Sequence, residues 1–288
     1  MKTSVIITTK NRESCFYEAL HSVLEQSYLP NEIIVIDDGS DVEKNLTSDS
    51  AIQIKYLYNV ESIGVAAARN MGIEKAIGDV IFFLDDDDIW LKDHVKNHVH
   101  EHLNNRILLC FSQKNIFFND SGNILRTTSA QDINVVDIFD VNFIGSPSGV
   151  SLKKNIFKNI NKFDVILKAL EDYELWLRII QYFGVTSVSC LDKVTINYRV
   201  SQTNSGNISH NIENHIAAKQ HILYVHRDNK EKLSRLRRYL NFCVLKTIHR
   251  ISYFKMLEYY FHNLFFSRKM IRLIVPYKLL NIFGVYST

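Results

Sequence analysis

A chain of 288 residues with 46% hydrophobic content is long enough for one large domain and an appendage, and apolar enough to build a real core. Three prolines and ten glycines argue against long disordered linkers, and no stretch reaches the ~18 uninterrupted apolar residues of a membrane-spanning helix. The net charge of +3 conceals an asymmetry: residues 230–288 hold twelve Lys/Arg against two acids, Glu231 and Glu258, so the remainder is acidic.

Met1-Lys2-Thr3-Ser4 runs straight into a strand-like segment, so neither a signal peptide nor a transit peptide is expected. Cys15, Cys110, Cys190 and Cys243 lie far apart without ligand spacing. They read as reduced thiols of a cytoplasmic protein.

In chain order, residues 4–8 form a first apolar strand, and 12–26 carry helical periodicity through Phe16, Leu20, Val23 and Leu24. Pro30 breaks the chain before a strand at 32–36, and the alternating residues 52–58 predict a third. Residues 64–76 are Ala-rich and helical, and 80–84 are a buried strand. Beyond these, 108–118 and 193–200 read as strands, 171–182 as a helix, and Gly145-Ser146-Pro147-Ser148-Gly149 as a loop. From Asn211 the pattern is helical almost to the end. Strands alternating with helices predict an α/β fold with a mostly parallel sheet, whose ligands bind beyond the carboxyl ends of the strands.

The strand at 80–84 empties into Asp85-Asp86-Asp87-Asp88. Four adjacent carboxylates repel one another and add nothing to a fold. A hard divalent cation, Mn²⁺ or Mg²⁺, relieves that repulsion through oxygen ligands and keeps positions open for phosphate oxygens. The turn is therefore a candidate metal–diphosphate site, with a solvated acidic turn as the plain alternative.

Four segments then fall into one pattern: Val5-Ile6-Ile7-Thr8-Thr9-Lys10-Asn11-Arg12, Ile34-Val35-Ile36-Asp37-Asp38-Gly39-Ser40, the stretch Gly64 to Asp88, and Glu171-Asp172-Tyr173-Glu174-Leu175-Trp176-Leu177-Arg178. Together they resemble the family 2 glycosyltransferases, inverting enzymes of the Rossmann-like GT-A fold. The resemblance is close over residues 4–90 and thins to the Glu-Asp helix and the 193–200 strand. It implies a catalytic domain over 1–210, with a nucleotide-sugar half to about 105 and an acceptor half from about 106. A helical basic region, 211–288, follows.

The same resemblance implies site roles. Thr8, Thr9, Asp38 and Arg69 line the nucleotide pocket, with Asp38 accepting from the base, usually uracil. Asp85 and Asp86 belong to the donor site, and Asp87 contacts the metal directly. Asp88 reads instead as the cap of a helix starting at Ile89-Trp90. Asp172 is the general base that deprotonates the acceptor hydroxyl, with Glu171 its competitor. Trp176 reads as core packing ahead of a platform for an acceptor sugar. The sequence departs from the family where a Pro commonly replaces Thr8 and a Tyr replaces Lys10, and where Ser201 stands in place of a His. His210 is too distant to substitute.

His94, His98 and His102 share one helix face and read as solvated rather than as a zinc site. The basic, aromatic 230–288 region reads as a segment lying on an anionic membrane, peripheral to its inner face, or as a packed helical subdomain with a basic exterior. No nucleic-acid motif accompanies the charge, so no nucleic-acid partner is expected.

The implied function is metal-dependent, inverting transfer of a sugar from a nucleotide sugar, UDP-linked by the family's habit, to a glycan or lipid-linked acceptor in surface polysaccharide assembly. Two competing readings are a sugar nucleotidyltransferase and an inactive glycan-binding protein. The first wants a Gly-rich phosphate loop where Thr8–Arg12 stand. The second leaves Asp87 and Asp172 without a task.

Overall fold

The structure is a computed structural model and describes residues 1–44, 46, 52–118, 123–128, 137–200, 211–251 and 259. Residues 1–138 with 142–202 form one compact unit, and 139–141 with 203–288 form a second.

The first unit is α/β. Its strands are β1 (Thr3–Thr9), β2 (Glu32–Asp37), β3 (Gln53–Tyr58), β4 (Val80–Asp85), β5 (Ile89–Trp90), β6 (Leu109–Phe118), β7 (Ile124–Thr127), β8 (Val150–Lys153) and β9 (Val188–Val200). Its helices are α1 (Glu13–Leu24), α2 (Val65–Lys75), α3 (His94–His102) and α4 (Glu171–Phe183). The sheet order is β3-β2-β1-β4-β8-β6-β9-β5, with β7 pairing to β6. The four strands before the acidic turn are mutually parallel, and antiparallel partners enter only beyond β4. Every residue of β1 and β2 is buried, as parallel strands covered on both faces require.

Alternation along the strands sorts the core into two layers. Val5, Ile7, Ile33, Val35, Phe82 and Leu84 meet Phe16, Ala19, Leu20 and Val23 of α1 and Val95 and Val99 of α3 in one cluster. On the opposite face Ile6 lies under α2, and a Cβ on Gly72 would stand 2.5 Å from the Ile6 Cγ2 atom. Only a glycine lets α2 approach so closely. Phe83 packs edge-on to Phe163 at 5.4 Å, which in turn meets Trp176 at 6.4 Å. Trp176 is fully buried and donates its Nε1 hydrogen to the Gly145 carbonyl at 3.0 Å, so it is core.

Two expectations are corrected. Ile89 and Trp90 do not open a helix: they pair antiparallel with Asn197 and Ile196 as an edge strand. His94, His98 and His102 lie on one face of α3, but that face is buried. His94 Nδ1 bonds Thr195 Oγ1 at 2.7 Å, while His98 Nδ1 and His102 Nε2 each reach Ser151 Oγ at 2.8 Å. Trp90 stacks on His94 with ring centroids 4.1 Å apart. Burial holds all three imidazoles neutral, lowering His94 to about 3 and His102 to about 4. Among the described residues no group of three or more His, Cys, Asp or Glu is arranged to hold a metal.

The second unit contains α5 (Ile212–Val225) and α6 (Lys230–Ile251). Asn211 caps α5, its side chain accepting from the Asn214 N–H at 3.0 Å. Leu236, Leu240, Val244, Leu245 and Ile248 form a buried stripe on α6, while Arg237, Arg238 and Lys246 stay exposed. Among the described residues no helix is long and apolar enough to cross a membrane. Ser201, His210 and the aromatic-basic stretch from 260 onward lie outside the described residues.

Candidate active site

The chain leaves β1 toward β2 and β3 on one side, then returns to place β4 on the other side of β1. That reversal is a topological switch point at the carboxyl ends of β1 and β4, the place where α/β sheets bind ligands. Thr8 and Asp85 are register partners across it. Thr8 and Thr9 end β1, Asp38 follows β2, Arg69 lies in α2, and the acidic turn follows β4. All of these sequence-predicted residues therefore gather at one end of the sheet.

Asp38 is buried, and its carboxylate accepts from Ser62 Oγ at 2.7 Å, the Ile63 N–H at 2.8 Å, the Gly64 N–H at 2.9 Å and Asn59 Nδ2 at 3.1 Å. It organises the loop that leads into α2. Its neighbour Asp37 points into the core and pairs with buried Lys44 at 2.7 Å. Burial raises Asp37, but hydrogen bonds from Lys44 and Ser40 outweigh it and hold the carboxylate below its ordinary range.

The four aspartates differ in access. The Asp85 and Asp87 side chains are 26% and 32% exposed, whereas Asp86 is 7% exposed and Asp88 is buried. Asp87 accepts from the Arg12 guanidinium at 2.7 Å, and Asp86 accepts from the same group at 3.2 Å and from the Lys10 N–H at 3.3 Å. Asp88 accepts from the Arg199 N–H at 3.0 Å, and the Arg199 side chain holds the Asp87 carbonyl at 2.8 Å. Burial first, then neighbouring carboxylates, raise the turn: Asp86 moves up to about 6, Asp87 rises, and Asp88 rises further. Arg12, Arg69 and Arg199 already offset part of this crowding, and a divalent cation would offset more. With only Asp85 and Asp87 accessible, it would take one or two carboxylates and draw its remaining ligands from a diphosphate.

Helix α4 brings the other half of the site. It begins after Leu170, a non-glycine residue in the left-handed region with φ 59°. Such a conformation costs on the order of 1–3 kcal/mol and persists only where its surroundings enforce it. Glu171 and Asp172 follow at once, about 100° apart around the helix. Arg69, with a side chain 4% exposed, separates their roles: one guanidinium nitrogen donates to Glu171 at 2.7 Å and the other to Asp85 at 2.6 Å. Glu171 is thereby held in an ion pair. Asp172 accepts from the Tyr173 N–H at 2.6 Å, and burial followed by the adjacent Glu171 charge raises it to about 7. A carboxylate poised there suits proton abstraction near neutral pH.

Arg12 and Arg199, given no role from the sequence, both bond the turn, and Tyr198 precedes Arg199 on β9. Burial and then the charges of Asp88, Asp87, Asp85 and Asp172 raise the Tyr198 phenol. The amine of Lys114 lies 4.5 Å above its ring. Arg12 closes the opening motif, and Tyr198 and Arg199 lie at the end of β9. A polar residue at a strand end was the available signal.

Comparison with known proteins decides the family. The model for Glycosyl transferase family 2 matches residues 4–161. The chain belongs to the family 2 glycosyltransferases. It is 30% identical over 202 residues to the Escherichia coli UDP-Glc:alpha-D-GlcNAc-diphosphoundecaprenol beta-1,3-glucosyltransferase WfgD, covering 69% of this chain and 78% of that protein. It is 33% identical over 183 residues to the E. coli enzyme of the same description, WfaP, covering 62% and 69%. The fold matches S. aureus TarS 1-349 in complex with UDP, with a TM-score of 0.56 at 18% identity over 98% of this chain and 78% of that one. That match supports the GT-A-like architecture. By sequence this family 2 chain is a glycosyltransferase.

Proposed function

We propose that this enzyme transfers a sugar, with inversion, from a UDP-linked donor to a lipid-linked, diphosphate-bearing acceptor in surface polysaccharide assembly, with Mn²⁺ or Mg²⁺ at the acidic turn. One observation carries the reading. Arg69 ties Asp85 to Glu171, so the donor turn and the base helix are held together while Asp172 is left to act. The named donors and acceptors of WfgD and WfaP, and the UDP bound by TarS, support the substrate classes.

In this reading Thr8, Thr9 and Asp38 bound the nucleotide pocket, and Asp38 shapes it through the 59–64 loop. Asp85 and Asp87 would hold the cation, which would supply positive charge to offset that of the departing diphosphate. Asp86, tethered to Arg12 and the Lys10 N–H, positions the donor. Arg12 and Arg199 brace the turn, so its carboxylates keep their places when the ligand departs. Asp172 takes the proton of the acceptor hydroxyl as that oxygen attacks the anomeric carbon from the face opposite the diphosphate.

The test is transfer from a panel of UDP-sugars to a synthetic GlcNAc-diphosphate-lipid, with the product anomer read by NMR. A β-linked product from an α-linked UDP-sugar, absent with Asp172→Asn, supports the reading. A product of retained configuration, or undiminished transfer by Asp172→Asn, overturns it.

A further inference from the structure

The loop that delivers α4 carries a second feature. Residues 153–168 hold five lysines against one acid, Asp164; Lys153 is buried, Lys154 bonds the Ala76 carbonyl and Lys162 pairs with Glu74 at 2.6 Å, which leaves Lys158 and Lys168. At its tip Val165 and Ile166 are 59% and 67% exposed, between buried Phe163 and Leu167. Single exposed aliphatics are commonplace. Here two stand side by side on a loop that the fold holds rigid. Asn70 exchanges two hydrogen bonds with the Phe163 backbone, at 2.8 and 2.9 Å. Arg178 of α4 binds the Lys162 carbonyl at 2.8 Å and the Asn161 carbonyl as well. The Ile166 N–H donates to Asp164 at 3.0 Å. Lys158 and Lys168 are exposed in the same segment.

We propose that this loop is where the catalytic unit meets an anionic lipid bilayer, with Val165 and Ile166 entering the headgroup layer and Lys158 and Lys168 meeting lipid phosphates. Aliphatic burial plus attraction between lysines and anionic lipid is the combination that holds proteins at a membrane surface. Two small side chains and two charges give a weak, reversible contact. The placement has a consequence for catalysis: Asp172 lies six residues beyond Ile166, after buried Leu167 and Ala169 and the constrained Leu170. Docking would hold the base close above the surface from which a lipid-linked acceptor presents its hydroxyl. That purpose rests on the proposed acceptor class, but the binding is measured without any acceptor.

The test uses the full chain carrying Ile166→Trp. Trp90 and Trp176 are 3% and 0% exposed, so the introduced indole reports on the tip. Vesicles of phosphatidylcholine alone are compared with vesicles containing roughly 30% phosphatidylglycerol. The expected result is a blue shift with the anionic vesicles alone. In sedimentation, the double change Val165→Ser with Ile166→Ser should bind those vesicles about tenfold more weakly at unchanged UDP affinity. Sedimentation without a blue shift, or undiminished by the double change, would place the contact elsewhere and overturn the proposal. Absence of any sedimentation overturns it too.

Discussion

The Arg69 guanidinium and the Glu171 carboxylate, 102 positions apart in the chain, meet at 2.7 Å, and the same guanidinium holds Asp85 at 2.6 Å. One buried cation thus joins the strand that ends in the acidic turn to the helix that begins with Glu171 and Asp172. Its burial opposes its charge, and the two carboxylates more than restore it, so Arg69 stays protonated.

Replacing Arg69 with Ala leaves two carboxylates without their cation. The expected cost is about 3–5 kcal/mol of stability, the usual consequence of breaking a buried ion pair from one side. Arg69→Lys does not restore it, because a single ammonium lacks the fork that spans both acids. Urea denaturation checks both variants.

Asp172 gives a pH signature with two signs. Its folded value of about 7 lies above the ordinary carboxylate range, so the folded chain binds this proton more tightly than the unfolded chain. The stability it supplies is full below about pH 4 and is lost as pH rises through about 7. Activity runs the other way, rising through about pH 7 as the base ionises. Asp172→Asn should lose transfer by about 10²–10⁴-fold. It should also gain on the order of 2 kcal/mol at pH 8. Thermal melts beside a pH–rate profile separate the two effects.

Asp38→Ala removes the acceptor for four donors of the 59–64 loop. The expected loss is about 2 kcal/mol, from buried N–H groups left without partners, together with at least about tenfold weaker UDP binding. Calorimetric titration of UDP reads the second effect. UDP affinity equal to wild type would remove Asp38 from the nucleotide pocket.

Ser151 serves two histidines at once, His98 Nδ1 and His102 Nε2, each at 2.8 Å. His102 Nδ1 donates to the Ile107 carbonyl at 3.3 Å, so its Nε2 accepts from the Ser151 hydroxyl, and His98 Nδ1 donates to that oxygen. Ser151→Ala strands both nitrogens and should cost about 2–4 kcal/mol, read as a lower Tm. The histidines also set an acid limit. With folded values held below the ordinary 6.5, their share of stability is full above about pH 6.5 and fades as pH falls toward 4.

The nucleotide half was legible because its signals are local. Val5–Thr8, Glu32–Ile36 and Val80–Leu84 are apolar runs, and each ends in the polar residues that gather at one end of the sheet. The short strands were not legible. β8 is four residues, and its pairing with β4 and β6 depends on partners about 40 to 70 positions away. β5 is two residues and exists because the β9 edge is there to receive it. The histidine face was misread because histidine counts as polar in a periodicity, while the hydroxyls that satisfy it, Ser151 and Thr195, come from distant strands. Arg12 went unassigned for the same reason: its partners, Asp86 and Asp87, lie 74 and 75 positions ahead.

The most direct test is calorimetric titration of UDP, with and without Mn²⁺, into the wild type, Asp87→Ala and Asp172→Asn. A metal-dependent donor site beside a separate base predicts Mn²⁺-dependent binding in the wild type and Asp172→Asn, and its loss in Asp87→Ala. UDP binding that ignores Mn²⁺, or that survives intact in Asp87→Ala, would contradict the metal-dependent site.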